Sequence, residues 1–166
     1  MTLTDSGPAL RISCDRDLLD EPFVYEYLHR NMYWAKSLTW DQFQRSLDHS
    51  ALLFGVYDLS GGYRRQAGFA RVVSDLATFA YLTDVFITEE SRGLGWSKQL
   101  LQAVMAHPQL QGLRRFLLVT EDSAGLYAKF GFRPLEDAGH WMQVFHDPGG
   151  HAAASDASAV PLPGTG

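Results

Sequence analysis

With 166 residues, the chain has room for one domain with a substantial core and little beyond it. Hydrophobic residues make up 46%, charged residues 20%, and the net charge is -5, so a polyanion-binding surface is not expected and nucleic acid is not among the expected partners. One cysteine, Cys14, excludes an intramolecular disulfide framework, and His29, His49, His107, His140, His146 and His151 are too scattered for metal-ligand spacing, so no metal is expected.

Residues 1–10 have neither a basic start nor a long apolar run, and no stretch approaches the ~20 apolar residues of a membrane helix. A cytoplasmic protein without membrane attachment is expected. Leu10 to Cys14 alternates apolar and polar and predicts a short strand, with Cys14 as a buried strand cysteine. Asp20, Glu21 and Pro22 open a helix carrying Phe23, Val24, Tyr27 and Leu28. Thr39-Trp40-Asp41-Gln42 has capping-box spacing and starts a second helix through about Asp48, with Trp40, Phe43 and Leu47 on one face.

Strands are predicted at Leu52–Asp58, Gln66–Val73 and Tyr81–Ile87, with Gly61-Gly62 turning the first into the second. Ser97, Leu100, Leu101, Val104 and Met105 share a helical face, so a helix runs from about Gly95 to Ala106 and stops before Pro108. Arg115–Val119 predicts a buried strand, Ser123–Phe130 a helix ended by Gly131, and Trp141–Phe145 a final strand. Residues 1–147 form the expected domain. The Gly-, Ala-, Ser- and Pro-rich stretch 148–166 cannot bury enough apolar surface to order itself and is expected as a disordered tail. The order of elements describes an α/β (α+β) layer with a mixed sheet.

One junction carries chemistry. Between the strand ending Val85-Phe86-Ile87 and the following helix lies Arg92-Gly93-Leu94-Gly95-Trp96-Ser97-Lys98. Two glycines let the backbone approach a ligand closely, and successive N–H groups at a helix start attract an anion. Arg92 and Lys98 add positive charge, so a diphosphate suits the turn; the glycines could equally serve a tight turn alone. Neither a P-loop nor the dinucleotide pattern matches, since Lys98 takes the place of the third glycine.

The stretch resembles motif A of the GNAT acyltransferases, Arg/Gln-x-x-Gly-x-Gly/Ala, through Arg92, Gly95 and the preceding Val85 and Ile87, with Ser97 at the final small position. Downstream, Leu126-Tyr127-Ala128-Lys129-Phe130-Gly131-Phe132 is similar to the family's motif B. The resemblance implies a mixed, mostly antiparallel central sheet flanked by helices, and acetyl-CoA as co-substrate. The backbone of Val85, Phe86 and Ile87 would pair with the pantetheine arm, and the N–H groups from Arg92 through Ser97 would hold the pyrophosphate. Tyr127 would assist the leaving thiolate as general acid. Where the family often has Asn, this chain has Thr120, so the cofactor contact made there in the family is either missing or made by Thr120 or Asp122.

An acceptor amine must lose a proton before attack. Asp84, on the strand leading to the phosphate turn, is the candidate base, directly or through a water; an ion pair with Arg71 or Lys36 is the other reading. Tyr33 and Trp34, in the region that covers the acceptor in the family, and Arg71 are candidate acceptor-binding residues. The rings Tyr25, Tyr27 and Trp40 of the same region fit an acceptor pocket or plain core packing. The expected activity is transfer of an acetyl group to a small-molecule primary amine. A silent CoA-binding sensor or scaffold and a protein acetyltransferase are the alternatives, and the resemblance leaves room for a homodimer.

Overall fold

The computed structural model describes residues 9–146. The tail at 148–166 therefore lies outside the described residues. Five strands form one sheet in the order of the chain: β1 (Leu10–Ser13), β2 (Leu52–Asp58), β3 (Arg65–Ser74), β4 (Phe79–Ile87) and β5 (Arg115–Leu117). The first three pairings are antiparallel, and β4 with β5 is parallel. Four helices accompany them: α1 (Glu21–Asn31), α2 (Trp40–Asp48), α3 (Trp96–Ala106) and α4 (Ala124–Ala128). This is the mixed, mostly antiparallel sheet with flanking helices that the resemblance implies.

The helix starts follow from their side chains. Asp20 accepts the N–H of Phe23 and Pro22 sits in the first turn, where its missing donor costs nothing. Thr39 and Gln42 close both halves of a capping box. At α3 the buried face is Trp96, Leu100, Leu101 and Val104. Trp96, rather than the expected Ser97, leads that face, and burial of each large side chain contributes roughly 2 kcal/mol.

The sheet divides two cores. On one face Phe54, Val56, Ala70, Val72, Leu82 and Ile87 pack against α3, with Leu126 and Tyr127 of α4 at the margin. On the other face Leu53, Phe69 and Phe86 pack against Val24 and Leu28 of α1 and Phe43 and Leu47 of α2. Strand alternation produces this split, because neighbouring residues such as Leu53 and Phe54 point to opposite faces. No described helix is long and apolar enough to cross a membrane.

Three local expectations need correction. Cys14 is exposed and lies past the end of β1, where the Asp15 side chain accepts the N–H of Asp17 and turns the chain out of the ladder. The expected buried strand Arg115–Val119 pairs only as far as Leu117 and is half-buried, and Val119 is 80% exposed, because β5 is an edge strand with one neighbour. Trp141–Phe145 forms no strand. The Trp141 ring is held by Arg115 and by Asp137, and the residues after it join no ladder among the described residues.

Candidate acetyl-donor and acceptor sites

After β4 the chain makes a single 3-10 turn over Glu89–Ser91 and enters α3 through Gly93 and Gly95, both left-handed (φ 77 and 76). Gly95 is the N-cap and offers no side chain to the helix start. The first hydrogen bond of α3 runs from Gln99 N–H to the Gly95 carbonyl at 3.2 Å. As a result, no N–H from Gly93 through Lys98 has an acceptor among the described residues. These successive donors sit at the positive end of the helix dipole, an arrangement that binds a phosphate without a dedicated side chain.

Arg92, Gly93, Leu94, Gly95 and Lys98 are exposed around this cradle, and Ser97 is half-buried. Arg92 reaches Glu89 only at 3.9 Å on the surface, too weak a pair to fix it. Trp96 is buried in the core and pins the helix start beneath the cradle.

The edge of β4 leading to the cradle is open. β4 pairs with β5 only over Phe79–Tyr81, and from Leu82 to Ile87 β3 is its sole strand neighbour. The backbone of Val85, Phe86 and Ile87 therefore lies beside a parting between parallel strands. Past β5, the Thr120 hydroxyl oxygen accepts the Ser123 N–H at 3.0 Å and shapes the turn into α4. Tyr127 on α4 packs edge-on against Phe132, half-buried beside the core that carries Trp96 and Val85. Burial, and then the charge of Asp122, push its phenol above the ordinary tyrosine value. Its hydroxyl has no partner among the described residues.

Asp84 lies on the other face. It is a non-glycine residue with φ 57, at a break in the β3–β4 register: Phe69 pairs with Phe86 and Arg71 with Thr83, leaving Asp84 and Val85 bulged. The buried Asp84 carboxylate accepts from Arg71 Nε at 2.7 Å and from the Thr83 hydroxyl at 3.2 Å. Arg71 also donates to Ser50 Oγ at 3.2 Å, which joins the end of α2 to the same polar cluster. Of the two partners considered for Asp84, Arg71 is the one it meets, and Lys36 instead donates to the Arg30 carbonyl.

Rings surround this cluster. Tyr27 stacks on Phe86 with centroids 3.9 Å apart, and Phe23 and Phe69 lean on the same ring. Tyr25 contacts Trp40 and Phe43 and donates to the Leu38 carbonyl, so it serves packing. Tyr33 and Trp34 remain 65% and 45% exposed, at the connection between α1 and α2. Tyr33 donates to Glu121 at 3.2 Å, linking that connection to the segment after β5. Among the described residues, no three His, Cys, Asp or Glu converge on a metal position.

The acetyltransferase (GNAT) domain matches residues 51–134, which span β2 through α4 and both the cradle and Tyr127. A curated relative from Gibberella zeae, named as an acetyltransferase, is 33% identical over 136 residues, covering 71% of this chain and 75% of the relative. The chain belongs to the GNAT acetyltransferase family.

The fold is shared with a crystal structure from Xanthomonas campestris pv. campestris described as an acetyltransferase of the GNAT family. That protein is 48% identical, with a TM-score of 0.78 over 84% of this chain and 95% of the other. An acetyltransferase from Clostridium acetobutylicum, solved with acetyl-CoA, shares the fold at 18% identity and a TM-score of 0.56, over 82% of this chain and 94% of that one. As a GNAT member this protein is an acyl-CoA N-acetyltransferase. The residues of its polar cluster were only partly legible beforehand. Ser50 and Thr83 carry no sequence signal, and regular alternation would turn Thr83 away from Asp84; the bulge brings both to one face.

Proposed function

We propose that this GNAT protein moves an acetyl group from acetyl-CoA to a primary amine of a small molecule by direct attack. The observation that carries the reading is the run of unbonded N–H groups from Gly93 through Lys98 beside the open edge of β4. A diphosphate accepts from those donors, Arg92 and Lys98 add charge, and the pantetheine arm lies along Val85, Phe86 and Ile87. Thr120 spends its hydroxyl oxygen on the turn into α4, so a contact with the donor is left to its hydroxyl hydrogen.

The acceptor enters from the face of α1 and α2, toward Asp84 and Arg71, with Tyr33 and Trp34 at the rim. It arrives as an ammonium ion and must lose one proton before its lone pair adds to the thioester carbonyl. Both Asp84 oxygens already accept hydrogen bonds, which favours a water held by the carboxylate over Asp84 alone as the group that takes this proton. The carbonyl oxygen becomes an oxyanion, stabilised by backbone N–H groups of β4 beside the Asp84–Val85 bulge. Collapse breaks the C–S bond, the nitrogen loses its second proton, and the thiolate leaves with one proton returned to it. Burial holds the Tyr127 phenol above the ordinary tyrosine value, which itself exceeds that of an ordinary thiol. Outright transfer to the sulfur is thus uphill, and a hydrogen bond that strengthens as the bond breaks is the better role.

Release of free thiol from acetyl-CoA over a panel of small amines and peptides tests the proposal. Thiol release with small amines supports it. Tight CoA binding with no release on any amine would replace it with a binding module, and release with peptides alone with a protein acetyltransferase.

A further inference from the structure

Arg71 is held from two sides and open on a third. Ala70 and Val72, its neighbours on β3, face the α3 core, so strand alternation turns Arg71 to the α1–α2 face. There Nε donates to Asp84 at 2.7 Å and Nη1 to Ser50 Oγ at 3.2 Å. Ser50 is anchored in turn, donating its hydroxyl to the Ser46 carbonyl of α2 at 2.6 Å.

Neutralising Asp84 does not require this arrangement. An arginine that serves one carboxylate offers it two nitrogens of its planar fork. Asp84 takes Nε alone and receives the Thr83 hydroxyl on its other oxygen, while the second arginine contact goes to Ser50. Bonds on two sides fix the guanidinium plane, so little freedom is left to lose when a ligand binds. The remaining nitrogen, Nη2, has no partner among the described residues and is not one of the polar atoms sealed in the core. Of the described ion pairs this is the one with both side chains largely buried, 16% exposed at Arg71 and 3% at Asp84, so the opening lies on the arginine.

We propose that the acceptor is an amino acid whose carboxylate is received by Arg71 Nη2 and whose amine lies toward Asp84. This substrate class rests on the small-amine reading and narrows it. A fixed guanidinium with a free N–H edge suits a carboxylate better than a neutral group, since both partners are charged. Arg71 and Asp84, side by side, present positive and negative charge opposite to the carboxylate and ammonium of an amino acid. Anchoring the group that does not react holds the amine in place for attack, with the water on Asp84 taking its proton.

Acetyl transfer to matched acceptors tests it. For α-amino acids with apolar or aromatic side chains, kcat/KM is expected to exceed that of the corresponding carboxamide, and of the amine lacking the carboxylate, by about a hundredfold. The carboxamide carries the less basic amine, so chemistry without recognition would favour it instead. Ser50→Ala frees one side of the guanidinium and should lower the acid-to-amine ratio of kcat/KM about tenfold, chiefly through KM for the acid, while Ser50→Thr keeps it. A ratio near one in the wild type, or a preference for carboxamide or amine, would overturn the proposal and leave small-amine acetylation standing. So would a ratio that Ser50→Ala and Arg71→Lys both leave unchanged. Thiol release with peptides alone, or with no acceptor at all, would remove the small-amine reading and the amino-acid class with it. Should Arg71→Lys fail to fold by circular dichroism, the wild-type ratio and the Ser50 variants still return the answer.

Discussion

The carboxylate of Asp84 meets Arg71 Nε at 2.7 Å while its own backbone sits in the left-handed region at φ 57. A bulged aspartate in the middle of a strand costs of order 1 kcal/mol in backbone strain, and it persists because the surroundings hold it. Arg71 holds the side chain, and the register shift sets Asp84 and Val85 together opposite the single residue Ala70 of β3. Charge and strain thus fall on one residue, at the point where the α1–α2 face of the sheet meets the open edge of β4.

Removing one partner of this pair should therefore cost more than removing both. Arg71→Met strands a carboxylate whose side chain is only 3% exposed, and a loss of about 3 kcal/mol is expected in chemical denaturation. Asp84→Asn keeps an acceptor for Arg71 and should cost less stability, while lowering kcat about a hundredfold. The double variant should recover part of the loss, a coupling that a double-mutant cycle reads directly. Full kcat in Asp84→Asn across the pH range would end the proton-handling role.

Gly95→Ala probes the cradle. A Cβ at Gly95 meets nothing within 4 Å, so the substitution acts through its left-handed backbone (φ 76) alone. A stability cost of about 1 kcal/mol is expected. CoA affinity measured by calorimetry should fall by about tenfold or more, because turning one peptide misaims donors on both sides of it. Unchanged CoA affinity with the expected loss of stability would mean that the glycine serves the turn only.

Tyr127→Phe should leave stability nearly unchanged, since it keeps the ring that packs edge-on against Phe132 and removes only the hydroxyl. Its kcat should fall by about a hundredfold with little change in KM for acetyl-CoA. Burial, followed by the Asp122 charge, raises the Tyr127 phenol above the ordinary tyrosine value, so the protonated, donating form persists through neutral and mildly alkaline pH. Any activity lost to its ionisation therefore appears only above about pH 10. An alkaline limb below pH 9 that disappears in the phenylalanine variant would contradict this assignment.

Acid stability has a separate test at the β2–β3 hairpin. The Ser60 hydroxyl and N–H, followed by Arg65, lower Asp58 to about 2. A depressed value means that the folded state prefers the ionised form. Its contribution is fully present above about pH 4, the unfolded value, and is lost as pH falls from there through about 2. Asp58→Asn should flatten the fall of Tm with pH within that window and leave the slope above pH 5 unaltered. An unchanged slope below pH 4 would show that Asp58 does not carry it.

How legible each part was depends on the range of the interaction that builds it. Asp20, the Thr39–Gln42 capping box, the glycine cradle and the alternation that splits Leu53 from Phe54 were readable because each works within a few residues of chain. Short-range hydrogen bonds, backbone freedom and residue periodicity are written locally, and with them came the glycine turn and the family. The tertiary structure alone decided that Asp84 is bulged and joined to Arg71 and Ser50, because strand register sets which side chains meet across 13 to 21 residues. It also decided that Tyr33 reaches Glu121, 88 residues away, and that Trp141–Phe145 has strand-forming residues but pairs with no strand among the described residues. A strand needs an edge as well as a propensity, and an edge belongs to the assembled sheet.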